Sequence, residues 1–577
     1  MLSGRGRQEE MRRFELQWVL FGSSLLVGLA LLLVLWWGPR EYTVGKVFKA
    51  KETIESRKWR EQYPGYGYNG TIYQLRAQEF PYLEGDRVYL DYAGMGVYQH
   101  SQLRAALKDL EENFRCNIHS ASACSRKAEE AVDAVRDQIL SFFNAPRGTY
   151  TVIFTSGTTA GLRLAADSFP WSEGSHFLYA KHNHNSVLGM RRLAMERGAT
   201  FNTLPFELYK TDLESTLRRS CNTSYLQLAQ RDEDGNVRLP TARDLVFNKK
   251  WNEASAQKKL YHLVAFPAED NFAGIKYNLD LIHAFQSGDF GEQFLPESQR
   301  NAGGCSPDDQ MWHVLLDAAG FVPKNPLDLN RYPASFVVMS FYKMFGYPTG
   351  LGALLVRNDL APLMRKVFFA GGSVVMAGCD SDYCKLKPQY HERFEDGTLD
   401  IAGITSLKVG FETLEGLGMT NIQQHVWAVV RRAYEGLSRL KHSNGSPLVK
   451  IYGEHAANNP KIQGGTLAFN LLSPSGSYIG YSDFSKLAAR HGFMLRAGCN
   501  CNPGACHNYI GIPESMIIQA SEKRTSCGDE MDQVDGIPLG ANRLSFGYAS
   551  TIEDVDRFVE FVELFYRDRG TETILLD

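Results

Sequence analysis

No excess of one charge marks this chain. Its 577 residues carry 62 Lys and Arg against 65 Asp and Glu, a net charge of −3. That excludes the broad basic surface on which nucleic-acid binding rests, and no nucleic-acid partner is expected. Cysteine is sparse, ten in the whole chain, which argues against a small disulfide-built scaffold and for a reducing compartment around the main body. Internal repeats and low-complexity tracts are missing. At 44% hydrophobic and 22% charged residues, the chain has the composition of a folded protein, long enough for two or three domains.

There is one long uncharged apolar run, WVLFGSSLLVGLALLLVLWW from Trp18 to Trp37. Roughly twenty residues at ~1.5 Å rise cross a ~30 Å hydrocarbon layer. The tryptophans at its ends suit the membrane interface, and Pro39 stops the helix. A cleaved signal peptide would have a shorter apolar core and a small-residue cleavage site. The expectation is a short tail (1–16), a single transmembrane helix (17–38), and a linker with an N-terminal arm (39–85). Arg5, Arg7, Arg12 and Arg13 precede the helix; Arg40, Lys46, Lys49, Lys51 and Arg57 follow it. The balance leans to a cytosolic catalytic side. Sequons at Asn69, Asn222 and Asn444 would matter only in a lumenal setting.

Beyond the arm, short apolar runs alternate with helical stretches. Strands are expected at 151–154, 177–180, 262–266, 312–316, 335–340 and 353–356, and helices at 125–143 and 161–168. Alternation of this kind predicts an α/β fold with a mostly parallel, doubly wound sheet that binds ligands at the carboxyl ends of its strands. Residues 285–310 lack periodicity and read as an inserted loop. A large domain (86–415) is followed by a smaller α+β domain (416–577).

Four features carry chemistry. FTSGTTAG (154–161) ends a strand and starts a helix with small hydroxyl residues, a phosphate-binding arrangement. Asp317 closes an apolar strand, where a carboxylate can keep a pyridine nitrogen protonated. Lys343, in SFYK followed by a glycine-rich turn, can lose its proton in apolar surroundings and form a Schiff base. His184, past another strand end, can stack on a planar ring and move protons. Each also has an ordinary reading: a capped turn, a solvated aspartate, a surface lysine, and surface or metal-binding histidines.

The order of motifs resembles the class V aminotransferase-fold enzymes, and most closely the N-terminal desulfurase domain of eukaryotic molybdenum cofactor sulfurases. The matching strings include LDYAGMGVY (90–98), HNHNSVLGMRR (182–192), FPAEDNFAGIKY (266–277), VLLDAAGFV (314–322), SFYKMFGYPTGLGALLV (340–356), HERFEDGTLDI (391–401), RAGCNCNPGAC (496–506) and NRLSFGYAS (542–550). The resemblance implies the pyridoxal 5′-phosphate (PLP) transferase fold. It implies that Lys343 attaches the cofactor, Asp317 pairs with the ring nitrogen and His184 stacks on the ring. Thr158, Thr159, Ser340 and Tyr342 would hold the phosphate, and Thr398 would reach the phosphate of a partner subunit in a homodimer. Asn271 and Arg543 would receive the substrate carboxylate. Cys501 would take sulfur from L-cysteine, leaving alanine, with Cys499 two residues away as its competitor. Where desulfurases have a glutamine three residues after the aspartate, this chain has Gly320. The final sulfur acceptor stays open. Other chemistries on the same cofactor, transamination or C–S lysis, are the alternative. A non-enzymatic zinc or iron–sulfur scaffold at Cys499, Cys501, Cys506 and His507, with Cys379 and Cys384, lacks the usual ligand spacing, so no metal is assigned.

Overall fold

The computed structural model describes residues 52–211, 225, 228, 230–231, 237–249, 252–253, 260–300, 310–524 and 531–570. The apolar run 17–38 lies outside these. Among the described residues no helix is long and apolar enough to cross a membrane.

A seven-stranded sheet forms the centre. Its strands are β1 (Tyr150–Thr155), β2 (His176–Ala180), β3 (Thr200–Leu204), β4 (Leu260–Pro267), β5 (Gln310–Asp317), β6 (Phe336–Ser340) and β7 (Gly352–Arg357). They lie in the order β1-β7-β6-β5-β4-β2-β3. Only β7 runs antiparallel to its neighbours. All six expected strands are found. The polar edge strand β3 (TFNTL) escapes a search for apolar runs because half of it faces solvent. Successive residues feed two cores: Val152 and Phe154 pack into one and Ile153 into the other. Burial on both faces is why the central strands read as unbroken apolar runs.

Helix α1 (Ala123–Phe142) precedes β1, α2 (Thr158–Ser168) follows it, and α3 (Asn185–Glu196) follows β2. Two long helices, α4 (Ile401–Leu417) and α5 (Met419–Ser438), meet at Gly418, whose φ of 81° breaks the helical path. They lead to an antiparallel sheet of β8 (Val449–Tyr452), β9 (Thr466–Leu471), β10 (Arg496–Gly498) and β11 (Ala541–Ser545), ordered β8-β9-β11-β10. Helices α6 (Tyr481–Arg490), α7 (Pro503–Ile510) and α8 (Ile552–Tyr566) complete this part.

Two expectations need correction. The stretch 39–85, expected as linker and arm, folds from residue 53 onward: Ile54–Gln62 and Ile72–Glu79 are helices. Trp59, Tyr66, Ile72 and Phe80 of this stretch are buried, and Arg76 makes a buried ion pair with Asp554 in α8. Its aromatic residues make it a packed element. Within 285–310, helical turns form at Asp289–Glu292 and Glu297–Gln299, with Phe285, Phe290 and Leu295 buried; residues 301–309 lie outside the description. Among the described residues two disulfides are also present, Cys116–Cys124 and Cys499–Cys506, each closing a local loop.

Candidate active site

The register of β1, β7 and β6 puts three chain ends side by side: Gly352 is opposite Thr155 on one side and Ser340 on the other. A Cβ at Gly352 would lie 2.4 Å from the Met339 carbonyl and 2.7 Å from the Gly157 Cα, so only glycine allows this approach. The α2 N-terminus is thereby held against β6. The Thr158 backbone N–H donates to the Ser340 hydroxyl (2.9 Å), and the two hydroxyls are 2.7 Å apart. Thr159 and Ser186 hydroxyls meet at 2.8 Å.

A cavity of about 160 Å³ opens at this end of the sheet. Thr158, Thr159, His184, Asn271, Asp317, Ser340, Tyr342 and Lys343 all line it, with Ser156, Ser186, Glu269 and Gly320. Asp317 ends β5, buried at 7% exposure, and one oxygen accepts the Ala319 N–H at 3.0 Å. Burial lowers the Lys343 pKa, and the charges of Arg543 and Arg496 lower it further, while Asp317 and Asp91 oppose them. An amine in this setting is closer to its nucleophilic form than a solvated lysine. His184 caps α3: its Nδ1 accepts the Ser186 N–H at 3.1 Å, which leaves the hydrogen on Nε2. Burial lowers its pKa, and the charges of Lys343 and Arg496 lower it further against the pull of Asp317.

One end of the cavity is thus a helix N-terminus ringed by hydroxyls, a carboxylate closes a strand at its floor, and a depressed lysine stands in its wall. These donors match the phosphate, ring nitrogen and aldehyde of PLP in turn. A Cβ at Gly320 would come within 2.8 Å of the Glu269 carbonyl, so the backbone approach at this point of the cavity lining needs glycine.

Three expected site residues do not line the cavity. Thr398 is exposed; its hydroxyl accepts from Asn117 Nδ2 at 3.4 Å. Arg543 is buried, with one guanidinium nitrogen on Asp91 and the other on the Asn271 carbonyl (2.8 Å). Cys501 is exposed and free, and its carbonyl accepts the Asn185 N–H at 2.7 Å. Asn271 lines the cavity and is bonded at both amide atoms: Nδ2 donates to the Asn500 carbonyl (2.6 Å) and Oδ1 accepts from Asn502 (3.1 Å). Both side chains thus tie neighbouring segments together, Asn271 from within the cavity lining.

Cys499 is tied to Cys506, and the chain between Cys499 and Cys501 is not extended. Asn500 and Cys501 have φ of 55° and 56°, and Asn502 N–H donates to the Cys499 carbonyl at 2.9 Å. This is a turn with both central residues left-handed, and Cys501 stands at its tip. Asp91, Ser186, Glu269, Arg496 and Asn502 are neighbours the sequence reading missed. Asp91 and Arg496 sit inside matched strings, but their value lies in cross-chain contacts: Arg496 is directly opposite Arg543 in the β10–β11 pair.

Residues 88–230 and 308–558 match the aminotransferase class-V family. The chain belongs to that family. Within it, the chain is 39% identical over 506 residues to the molybdenum cofactor sulfurase of Homo sapiens, covering 86% of this chain and 52% of that one. It is 40% identical over 501 residues to that of Solanum lycopersicum, covering 86% and 58%. The chain thus spans between half and three fifths of the length of these relatives. Among solved class-V folds it is similar to a cysteine desulfurase from Thermococcus onnurineus NA1, with TM-score 0.58 and 20% identity over 85% of this chain and 97% of that one. The cysteine desulfurase CsdA from Escherichia coli gives 0.57 and 19% over 85% and 98%. Both likenesses speak to the fold.

Proposed function

We propose that this class-V enzyme is a PLP-dependent cysteine desulfurase of the molybdenum cofactor sulfurase type. It takes sulfur from L-cysteine onto Cys501 and releases L-alanine. The observation that carries this is the single cavity joining Asp317, Lys343, His184 and the α2 N-terminus, with a free, exposed cysteine on a turn bonded to the same walls. A transaminase needs no such thiol.

When bound, PLP supplies an electron sink for the pair left on the substrate α-carbon. The rest is done by the chain. Thr158, Thr159, Ser340 and the helix N-terminus bind phosphate. Asp317 keeps a proton on the ring nitrogen. Lys343 would anchor the cofactor and accept the substrate α-proton at Nζ. His184 covers the ring. Cys501 Sγ attacks the substrate sulfur as thiolate; the carbon–sulfur bond breaks, alanine leaves, and the sulfur remains on Cys501 as a persulfide. Thr398, exposed on a Gly-Thr loop, reaches a partner's phosphate site in a homodimer. The 17–38 run tethers the enzyme to a membrane as a single-pass anchor, with the catalytic body in the cytosol.

The full-length protein with its Cys499–Cys506 bond intact, given PLP and L-cysteine, should yield alanine and gain the mass of one sulfur atom on the Cys501 peptide. Cys501→Ser should keep the cofactor spectrum and lose alanine production. Alanine formation undiminished in Cys501→Ser would overturn the assignment.

A further inference from the structure

We propose that Cys499 and Cys506 are a dithiol–disulfide couple that reduces the sulfur carried by Cys501 and releases it as sulfide, and that the bond between them is the oxidised end of that step. This rests on Cys501 being the sulfur carrier and adds the fate of the sulfur.

The arrangement is that of a working couple rather than a remote staple. The Cys499–Cys506 bond closes a loop with a Cα–Cα distance of 5.2 Å, and the carrier lies inside that loop, exposed and unbonded. Cys499 and Cys501 flank one residue of a tight turn, so their Cα atoms are at most ~7.6 Å apart. The pair is asymmetric. Cys499 is half-buried and Cys506 fully buried, so Cys499 is the sulfur that meets another group. Cys506 is the fourth residue of α7, in the first turn of that helix. A ring nitrogen of His507 lies within 4.8 Å of both sulfurs.

The chemistry balances. The Cys499 thiolate attacks Cys501 Sγ, the inner sulfur of the persulfide. A Cys499–Cys501 bond forms, and the bond to the outer sulfur breaks. That sulfur leaves with the electron pair and is protonated. The Cys506 thiolate then attacks Cys499 Sγ, forming the Cys499–Cys506 bond and returning Cys501 as thiolate. Two thiols are oxidised to one disulfide, and one sulfane sulfur is reduced to sulfide. A further turnover requires an external dithiol reductant to reopen the pair.

The test uses the full-length holoenzyme, reduced with a phosphine, freed of reductant under anaerobic conditions and given one equivalent of L-cysteine per chain, so that no spare substrate thiol remains. After a quench, alanine, sulfide and the bonding of each cysteine are measured. Sulfide should equal alanine, and a Cys499–Cys506 bond should appear in the same amount. Protein whose pair is already oxidised should make the same alanine, keep the sulfur on Cys501, and release at least an order of magnitude less sulfide. Cys506→Ala should trap a Cys499–Cys501 bond. Equal sulfide from reduced and oxidised protein, or alanine formed with Cys499 and Cys506 still thiols, would overturn the couple while leaving the desulfurase reading in place. No alanine from either form would overturn both. The oxidised-versus-reduced comparison needs no substitution, so misfolding of a variant does not decide the outcome.

Discussion

Asn502 is joined to Asn271 across the mouth of the site: its Nδ2 lies 3.1 Å from the Asn271 Oδ1 and 2.7 Å from the His182 carbonyl. Its own Oδ1 accepts the Ala505 N–H at 3.2 Å and caps α7. One buried amide thus ties the Cys501 turn to the loop after β4 and to the residue two before His184. Asn502→Ala removes all of these bonds and should cost about 2 kcal/mol of stability, the order expected for buried partners left unpaired. Cofactor attachment at Lys343 should be unchanged. Alkylation of Cys501 should become faster and alanine formation fall by about ten- to a hundred-fold, since small misplacements of a reacting group have such effects. Unchanged alkylation and turnover together would show that the turn holds its place without Asn502.

Lys343→Ala should abolish covalent cofactor attachment. Borohydride reduction of the wild-type holoenzyme followed by peptide mapping should find the adduct at Lys343 alone. Because the Lys343 pKa is lowered, attachment should reach its plateau below the pH at which a solvated lysine deprotonates. Asp317 raises that pKa, so Asp317→Asn should move the attachment profile to lower pH. A shift to higher pH would contradict the electrostatics of the cavity.

The N-terminal helices are part of the fold. Arg76 and Asp554 are each 5% exposed and paired, and Asp554 also closes the capping box at the start of α8. Arg76→Ala leaves that carboxylate buried without its cation and should cost roughly 3–5 kcal/mol, read as a lower denaturant midpoint. Removal of residues 1–40, which precede the helix at 54–62, should leave the midpoint unmoved. An equal loss from the truncation would mean that the first segment is also part of the packed body.

Asp270 anchors the loop that carries Asn271. Its carboxylate accepts N–H groups from Phe272, Ala273 and Ile275 at 2.8, 2.9 and 2.6 Å, yet burial pushes its pKa up from 3.8 to about 6. The folded carboxyl therefore holds its proton more tightly than the unfolded one. The stability this proton contributes, of order 3 kcal/mol for about two pKa units, is present below the unfolded value of 3.8 and lost as pH rises through about 6. In urea titrations the wild type should lose stability relative to Asp270→Asn across that window. A difference that is flat with pH would show that Asp270 does not titrate there.

Much of the large sheet was legible because its strands are buried on both faces. Burial on both faces makes apolar runs such as HLVAF (262–266) and WHVLL (312–316), and the cavity-lining Asp317, Lys343 and His184 sit at or just past strand ends. Local order along the chain carries that information. Edge strand β3 and the helices at 54–62 and 72–79 were not legible, since a half-exposed strand and an aromatic-rich polar segment have no run or period that stands out.

The surroundings of Cys501 were decided by tertiary structure. Spacing places Cys499 and Cys501 two apart in sequence, which in an extended chain would point them the same way. Two left-handed residues turn the chain instead, and a bond to Cys506 takes Cys499 aside. Asn271 and Arg543 were found by pattern, but their partners, Asn500, Asn502 and Asp91, come from distant segments. Hydrogen-bond partners of that kind depend on which loops the packed sheets bring together, and no periodicity in the sequence records it.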